Sequence, residues 1–451
     1  CYSDTLRRGG NAADAAVTMA ASLQMVQPMS CGVGGDCFAT FYDATKREVR
    51  CVDGSGRSPA LMTLDRFLSG MKDGKLKPEG RGLQATVPGA VKAWFEIIKH
   101  FGSGQLDMAD LFEAAIHYGE NGFPVGKRCA TEWALRQSKL QNMHGGSTFL
   151  DRDGLVPAHG ALLRNVPLAG LLRRIAAEGI GAFYEGPVAQ GIVNAVDSAG
   201  GIMTLADLQS HMNFVEPEVL PSVSTAYRKT TVHTMPLPSQ GAILLEALNI
   251  LEGYDISSTV TLPHPMTIRS VCSSYGMSPQ QEHQSEAFLS YMARRISDLK
   301  DDQRFVTLMV DEIHIKPYFE YKGGNITGAA LNSNEAANCA LVFMVRSLRC
   351  KFKELHGSLF QTRGTAFNTL PGHPNCVGPR KKPYHTLMPV VVTDSASGRL
   401  LAVMGSQGGR MTPQALLQVI LSMVDHGLDP QEAVSKLRIQ VGSLDVPLHP
   451  E

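Results

Sequence analysis

Two adjacent glycines, Gly408 and Gly409, close the stretch "GSQGG" at 405–409 and have properties that acyl-transfer chemistry needs. The intermediate of such a reaction carries an oxyanion, which is stabilised by N–H donors held in fixed positions. Glycine offers a backbone N–H and has no side chain to block the approach. The alternative interpretation is an ordinary turn at the end of a strand.

The spacing of the cysteines and acidic residues does not indicate a metal site. The cysteines form no C-x-x-C pair, which argues against zinc or iron–sulfur ligation and does not indicate a disulfide framework. Asp311 and Glu312 are adjacent in "DEIH", and adjacent residues of a strand point to opposite faces. No cofactor is predicted, and we expect most of the cysteines to be buried thiols. The nine are Cys1, Cys31, Cys37, Cys51, Cys129, Cys272, Cys339, Cys350 and Cys376.

Capping residues and apolar spacing predict the elements that must position these groups. Asn11 is a helix N-cap with Asp14 at the third helical position, and "CFATFYD" and "REVRCVD" are paired strands. The stretches 88–102 and 167–186 have helical apolar spacing, and 385–406 reads as a hairpin. Strands flanked by helices on both sides predict an α/β layered fold.

The composition allows a large buried core and excludes some function classes. With 451 residues and 43% apolar content, the chain has room for two or three domains or one large layered domain. Lys+Arg and Asp+Glu both number 42, so charge gives no reason to expect nucleic-acid binding. No run of 18 apolar residues predicts a membrane span. The chain begins with Cys1 and is expected to be a fragment or a trimmed chain, and its compartment is not predicted.

Eight motifs in order resemble the γ-glutamyltransferase (glutathione hydrolase) family. They are "GGNAADAAV", "CGVGGDCF", "DGSGRSPA", "ATVPGAV", "PLPSQGAILLEALNIL", "GTAFNTLPGHPN", "KKPYHTLMP" and "GSQGG". The resemblance covers roughly 1–255 and 355–443. It implies an αββα four-layer sandwich of the N-terminal nucleophile hydrolase type, made as one chain that cuts itself to free a threonine. That threonine attacks a γ-glutamyl amide, and water or an acceptor amine then releases the acyl group.

The resemblance also implies roles for particular residues. Gly408 and Gly409 match the family's paired oxyanion glycines. His385 and Thr386 stand where the family usually has two serines that hold the substrate α-carboxylate, and Thr386 keeps a hydroxyl donor. Many family members have an arginine that binds the same carboxylate, and the motif aligns that arginine with Ser55. Arg57 lies two positions later, in a Gly-x-Gly-Arg-x-Pro form that a divergent branch of the family uses. The alternative interpretation is that His385 and Thr386 are only an exposed pair at the start of a strand and that Arg57 is an exposed arginine in a turn.

The nucleophilic threonine segment is not found. The family motifs stop near Pro263 and restart near 355, and the block 263–354 resembles a P-element-type (THAP-associated) transposase with Asp311 as a first metal-binding carboxylate. Transposase activity is not expected, because the block supplies one carboxylate of the two or three needed and its charges nearly cancel. Thr307 and Thr327 are possible substitutes, but no nucleophile is assigned.

These observations predict three regions: 1–255 is large-subunit-like, 263–354 is an insertion and 355–451 is small-subunit-like. The predicted function is that of a γ-glutamyltransferase-like protein acting on small glutathione-like compounds, inactive as written. A non-catalytic γ-glutamyl binder or decayed pseudoenzyme is the alternative, and a nucleic-acid-binding fusion is the remote one. Since the missing segment should supply a strand, we expect an incomplete sandwich with an open sheet edge.

Overall fold

The computed structural model of this chain describes residues 2–72, 75–142, 146–214, 219–254, 339–346, 363–436 and 438. The helices are α1 (Tyr2–Arg7), α2 (Ala12–Val26), α3 (Leu64–Ser69), α4 (Ala90–Phe101), α5 (Met108–Asn121), α6 (Lys127–Ala134), α7 (Gln137–Gln141), α8 (Val166–Glu178), α9 (Gly181–Tyr184), α10 (Gly186–Asp197), α11 (Leu205–Met212), α12 (Gly241–Glu252), α13 (Thr412–Val424) and α14 (Pro430–Ser435). The strands are β1 (Asp36–Asp43), β2 (Glu48–Gly54), β3 (Met71–Lys72), β4 (Lys75–Leu76), β5 (Phe123–Pro124), β6 (Leu162–Leu163), β7 (Val219–Pro221), β8 (Val223–Tyr227), β9 (Thr230–Thr234), β10 (Cys339–Arg346), β11 (Val390–Asp394) and β12 (Leu400–Met404).

The first of two large sheets has the strand order β10–β1–β2–β7, and all neighbours are antiparallel. β1 and β2 form the hairpin that the sequence predicts. β10 pairs along the whole of β1, from Asp36 opposite Arg346 to Asp43 opposite Cys339. Because β10 comes from the 263–354 block, this side of β1 is not the open edge that we expected.

The second large sheet has the order β12–β11–β9–β8, again antiparallel throughout. β11 and β12 are the predicted C-terminal hairpin, with an irregularity in register between Val392 and Thr393. The chain passes from the first sheet to the second at Ser222, the single residue between β7 and β8. The two sheets are therefore joined directly at this point.

The sheets pack face to face, with helices on their outer sides. Buried side chains meet in two clusters between them: Phe38 and Cys51 with Met235 and Leu387, which lie just outside β9 and β11, and Tyr42 and Val49 with Val391. A large core joins β1 and β2 to α2, α4, α5 and α8, and a smaller one joins β8, β9 and β11 to α12 and α13. These layers make the αββα sandwich that the resemblance implies.

Several helices begin with a capping box. The Asn11 side chain accepts from Asp14 N–H while the Asp14 carboxylate accepts from Asn11 N–H, so α2 begins with a capping box. Thr204 and Asp429 form the same arrangement at α11 and α14. The predicted Asn11 cap is confirmed, and each box depends on two residues three positions apart.

One predicted helix is divided. The stretch 167–186 forms α8 and α9 as separate helices, because Gly179 adopts φ +79° and ends α8. Glycine takes this left-handed conformation without the penalty that a Cβ brings. Within the described ranges, no helix combines the length and apolar character of a membrane span.

Five cysteines of the described regions are free thiols. Cys31, Cys37, Cys51 and Cys129 are buried, and Cys376 is half-buried. Burial raises the pKa of Cys31 and Cys129 to about 12, so these two stay uncharged at neutral pH. The expectation of buried thiols is confirmed for those four.

Candidate functional site

The two predicted oxyanion glycines lie in the turn between β12 and α13. Gly408 is extended with φ 174°, whereas Gly409 adopts φ +59° in the region that favours glycine. Met411 N–H donates to Gly408 O at 3.0 Å, and the Thr412 hydroxyl donates to Gly409 O at 2.9 Å. The turn is thereby fixed at the start of α13, where the helix dipole favours negative charge.

Thr386 lies in the loop that leads into β11, and one side-chain amide joins this loop to the glycine turn. Gln240, immediately before α12, donates from Nε2 to Thr386 O at 3.0 Å and to Gly409 O at 2.9 Å. The Tyr384 hydroxyl donates to Gln240 Oε1 at 2.7 Å. The structure thus brings Thr386 and Gly409 together. Sequence reasoning did not single out Gln240, which is present there as part of "PLPSQG".

His385 is fully buried and faces the interior between the sheets. Its Nδ1 accepts from Leu387 N–H at 3.0 Å, so Nε2 carries the proton and donates to Asp36 Oδ2 at 3.1 Å. The Phe38 ring meets the imidazole edge-on, with centroids 4.6 Å apart. Gly56 N–H donates to the other oxygen of Asp36 at 2.8 Å. Both ring nitrogens of His385 are therefore engaged within the protein.

Arg57 lies in the loop after β2, and this loop is held close to the segment before α4. Val87 N–H donates to Arg57 O at 2.9 Å, and a Cβ at Gly56 would stand 1.6 Å from Val87 O. The Arg57 guanidinium lies over the Phe214 ring, 4.1 Å from its centroid, in cation–π geometry. The glycine therefore permits the backbone approach that places Arg57 against Phe214.

Ser55 stands at the position of the family's carboxylate-binding arginine, and its side chain is uncharged. It is buried and donates its hydroxyl to Asp53 Oδ1 at 2.6 Å, and Asp53 Oδ2 accepts from Lys382 Nζ at 2.8 Å. Ser58 accepts from Lys381 N–H at 2.9 Å and so ties the same loop to the segment that precedes Thr386. The loop of Arg57 and the loop of Thr386 are thus connected through these contacts.

Two lysines contact residues near Arg57: Lys92 bonds Phe214, and Lys382 bonds Asp53. Lys92 is almost completely buried on α4, and its Nζ donates to the carbonyls of His211 and Phe214. Burial, and then the charges of Lys92, Lys382 and Arg57, lower the pKa of His211 to about 3, so His211 is neutral at pH 7. Lys382 is paired with Asp53 and Lys92 with two backbone carbonyls. The sequence does not indicate that Lys92 and His211 lie near Arg57, because each is an ordinary position within a helix.

Several predicted residues lie outside the described residues. They are Asp311, Thr307 and Thr327, all within the 263–354 block. Within the ranges that the structure does describe, no three His, Cys, Asp or Glu side chains are grouped so that they could hold a metal ion.

Comparisons with known proteins agree with this architecture. Residues 2–344 and 352–446 match the family model described as Gamma-glutamyltranspeptidase. The chain is 33% identical to the glutathione hydrolase-like YwrD proenzyme of Bacillus subtilis (strain 168), over 96% of this chain and 81% of that protein. It is 26% identical to the glutathione hydrolase proenzyme of the same organism, over 98% of this chain and 78% of that protein. The crystal structure of cephalosporin acylase from Bacillus halodurans matches with a TM-score of 0.76 at 26% identity, covering 96% of this chain and 79% of that one. The ordered motifs, the αββα layers and the family match over nearly the whole chain lead to one conclusion: it belongs to the gamma-glutamyltranspeptidase family.

Proposed function

We propose that this chain binds γ-glutamyl compounds such as glutathione and does not cleave them. The observation that carries the proposal is the junction at Gln240, where the loop of Thr386 and the turn of Gly408 and Gly409 meet on a γ-glutamyltranspeptidase fold. Backbone N–H groups of the glycine turn would hold the γ-carbonyl oxygen of the ligand. They are suited to this because the turn is fixed by hydrogen bonds before a ligand arrives.

The α-carboxylate of the ligand is proposed to bind the Thr386 hydroxyl and the Arg57 guanidinium. A guanidinium attracts a carboxylate and can hold both of its oxygens. The role of His385 is indirect in this proposal. Its ring is bonded to Asp36, so it holds the backbone beside Thr386 instead of reaching the ligand.

Cleavage in this family would require a threonine whose hydroxyl attacks the γ-glutamyl amide and whose α-amine acts as base, with water or an acceptor amine completing the reaction. No residue of this chain is assigned that role. Losing a covalent nucleophile lowers the rate by roughly 10⁴–10⁶-fold. The oxyanion turn and the carboxylate site would then support binding without turnover.

We further propose that 263–354 is a transposase-like insertion between the large-subunit-like region 1–255 and the small-subunit-like region 355–451. The support is that the eight quoted motifs stop near Pro263 and restart near 355 and that no threonine segment was recognised between them, although the family model also matches 263–344. Since β10 comes from the end of the block, inserted residues would take over a strand position beside β1. A cDNA read across codons 250–360 tests this: a transcript that lacks the block and carries a threonine segment would refute the insertion.

Binding and turnover can be measured separately on this 451-residue chain. We expect one uncut band on a denaturing gel, no release of p-nitroaniline from γ-glutamyl-p-nitroanilide, and saturable binding of glutathione by calorimetry. Thr386→Val and Arg57→Met should each weaken that binding. Arg47→Met, which changes an arginine in the β1–β2 turn, is the matched control and should leave it unchanged.

The second candidate function is an active amide hydrolase, favoured by the names of the relatives, which are hydrolases and an acylase. Two fragments on the gel together with p-nitroaniline release would establish it and refute the proposal. A chain that binds a cephalosporin but not glutathione would refute the γ-glutamyl assignment instead.

A further inference from the structure

We propose that Gln240 is a positioning residue that sets the spacing between the carboxylate half and the oxyanion half of the γ-glutamyl site. Tyr384 fixes the direction of the Gln240 amide. This inference rests on the proposed function, since it concerns how the same site is assembled.

The hydrogen bonds of Gln240 allow one orientation of its amide. Two carbonyl oxygens, those of Thr386 and Gly409, accept from Nε2 at 3.0 and 2.9 Å, and an amide NH₂ has two hydrogens to give. Turning the amide over would place Oε1 against both carbonyls, where it could donate nothing. The Tyr384 hydroxyl donates to Oε1 at 2.7 Å and so favours the same orientation.

The two segments held by Gln240 come from opposite ends of the β11–β12 hairpin. Thr386 precedes β11, where Ser239 Oγ also donates to Leu387 O at 2.7 Å. Gly409 follows β12 and has a left-handed backbone, and its carbonyl takes bonds from Gln240 and from Thr412. Both carbonyl oxygens lie one hydrogen bond from the same nitrogen. A change in the position of that nitrogen would therefore move the two halves of the site relative to each other.

Burial makes these bonds costly to remove. Gln240 is 1% exposed, so water cannot easily replace its amide at the two carbonyls. Gln24 offers a matched comparison because it is also 1% exposed, yet its Nε2 donates to Ala20 O within its own helix α2. A change at Gln24 perturbs the core without touching either half of the site.

The experiment compares Gln240→Met, Tyr384→Phe and Gln24→Met in the 451-residue chain. Three quantities are measured: the Kd for glutathione, hydrogen exchange of segments 384–388 and 405–411, and stability in urea. We expect Gln240→Met to raise the Kd by about tenfold or more, the effect of losing one to two net hydrogen bonds, and to speed exchange in both segments. Tyr384→Phe should act in the same direction but less. Gln24→Met should leave the Kd and both segments as in the wild type.

Wild-type Kd and wild-type exchange in Gln240→Met would overturn the proposal, and so would equal changes in Gln24→Met. If Gln240→Met does not fold, Tyr384→Phe decides: faster exchange in both segments supports the proposal and unchanged exchange overturns it. If the wild type binds no glutathione, the proposed function fails, and the exchange data alone decide whether Gln240 positions the two segments.

Discussion

Replacing His385 with alanine should destabilise the fold by about 3–5 kcal/mol, the usual cost of removing one partner of a buried polar pair. His385 and Asp36 are both completely buried, and their side chains are 3.1 Å apart. The substitution takes the imidazole donor away from the Asp36 carboxylate and removes the acceptor of Leu387 N–H. It also leaves a cavity beside Phe38, which adds to the loss.

Urea denaturation at pH 7, followed by tryptophan fluorescence, measures this loss. The two tryptophans of the chain, Trp94 and Trp133, are both buried and so report on the packing around the first sheet. His100→Ala is the matched control, because His100 pairs with Glu96 at 3.2 Å but is 41% exposed. Exposed pairs contribute about 0–1 kcal/mol, so the control should change little. A loss at His385 no larger than that of the control would refute the role assigned to the buried pair.

Three other substitutions test separate parts of the structure by urea denaturation. Burial lowers the pKa of His211 to about 3, so between about pH 3 and 6.5 the unfolded chain binds a proton that the folded chain does not. The free energy of unfolding of the wild type should therefore fall as the pH drops through this window, by up to about 1.4 kcal/mol per pH unit. His211→Gln should remove that part of the pH dependence. Gly56→Ala should cost about 3 kcal/mol or more because its Cβ would stand 1.6 Å from Val87 O, whereas Gly126→Ala, with nothing within 4 Å, should be nearly neutral. Asn11→Ala should cost about 1 kcal/mol through loss of the α2 cap, and an unchanged urea midpoint would contradict that role.

The sequence predicts those parts of the fold that depend on neighbouring residues. The capping box of Asn11 and Asp14 involves two residues three positions apart. The β11–β12 hairpin follows from a Val-rich strand and a turn between Asp394 and Gly398. The division between α8 and α9 was missed, since the apolar spacing continues through Gly179 and only the backbone angle there reveals the break.

The contacts that assemble the site could not be predicted in the same way. His385 meets Asp36 across 349 positions, and Gln240 reaches Thr386 and Gly409 across 146 and 169. No local pattern records such pairs, because they depend on how the layers pack. The motif order pointed to the correct family, and the structure brings Thr386 and Gly409 to the same Gln240 amide. It gave no indication that the His385 ring would face inward.

The position of β10 has a consequence for the synthesis of the chain. β1 and β2 can form their hairpin early, but β10 emerges from the ribosome after roughly 300 further residues, which takes on the order of 15–60 s at about 5–20 residues per second. During that interval one side of β1 has backbone groups that β10 will later bond. Such a strand can pair with another nascent chain. The amount of soluble protein should therefore depend on the chaperones that bind the nascent chain before β10 arrives.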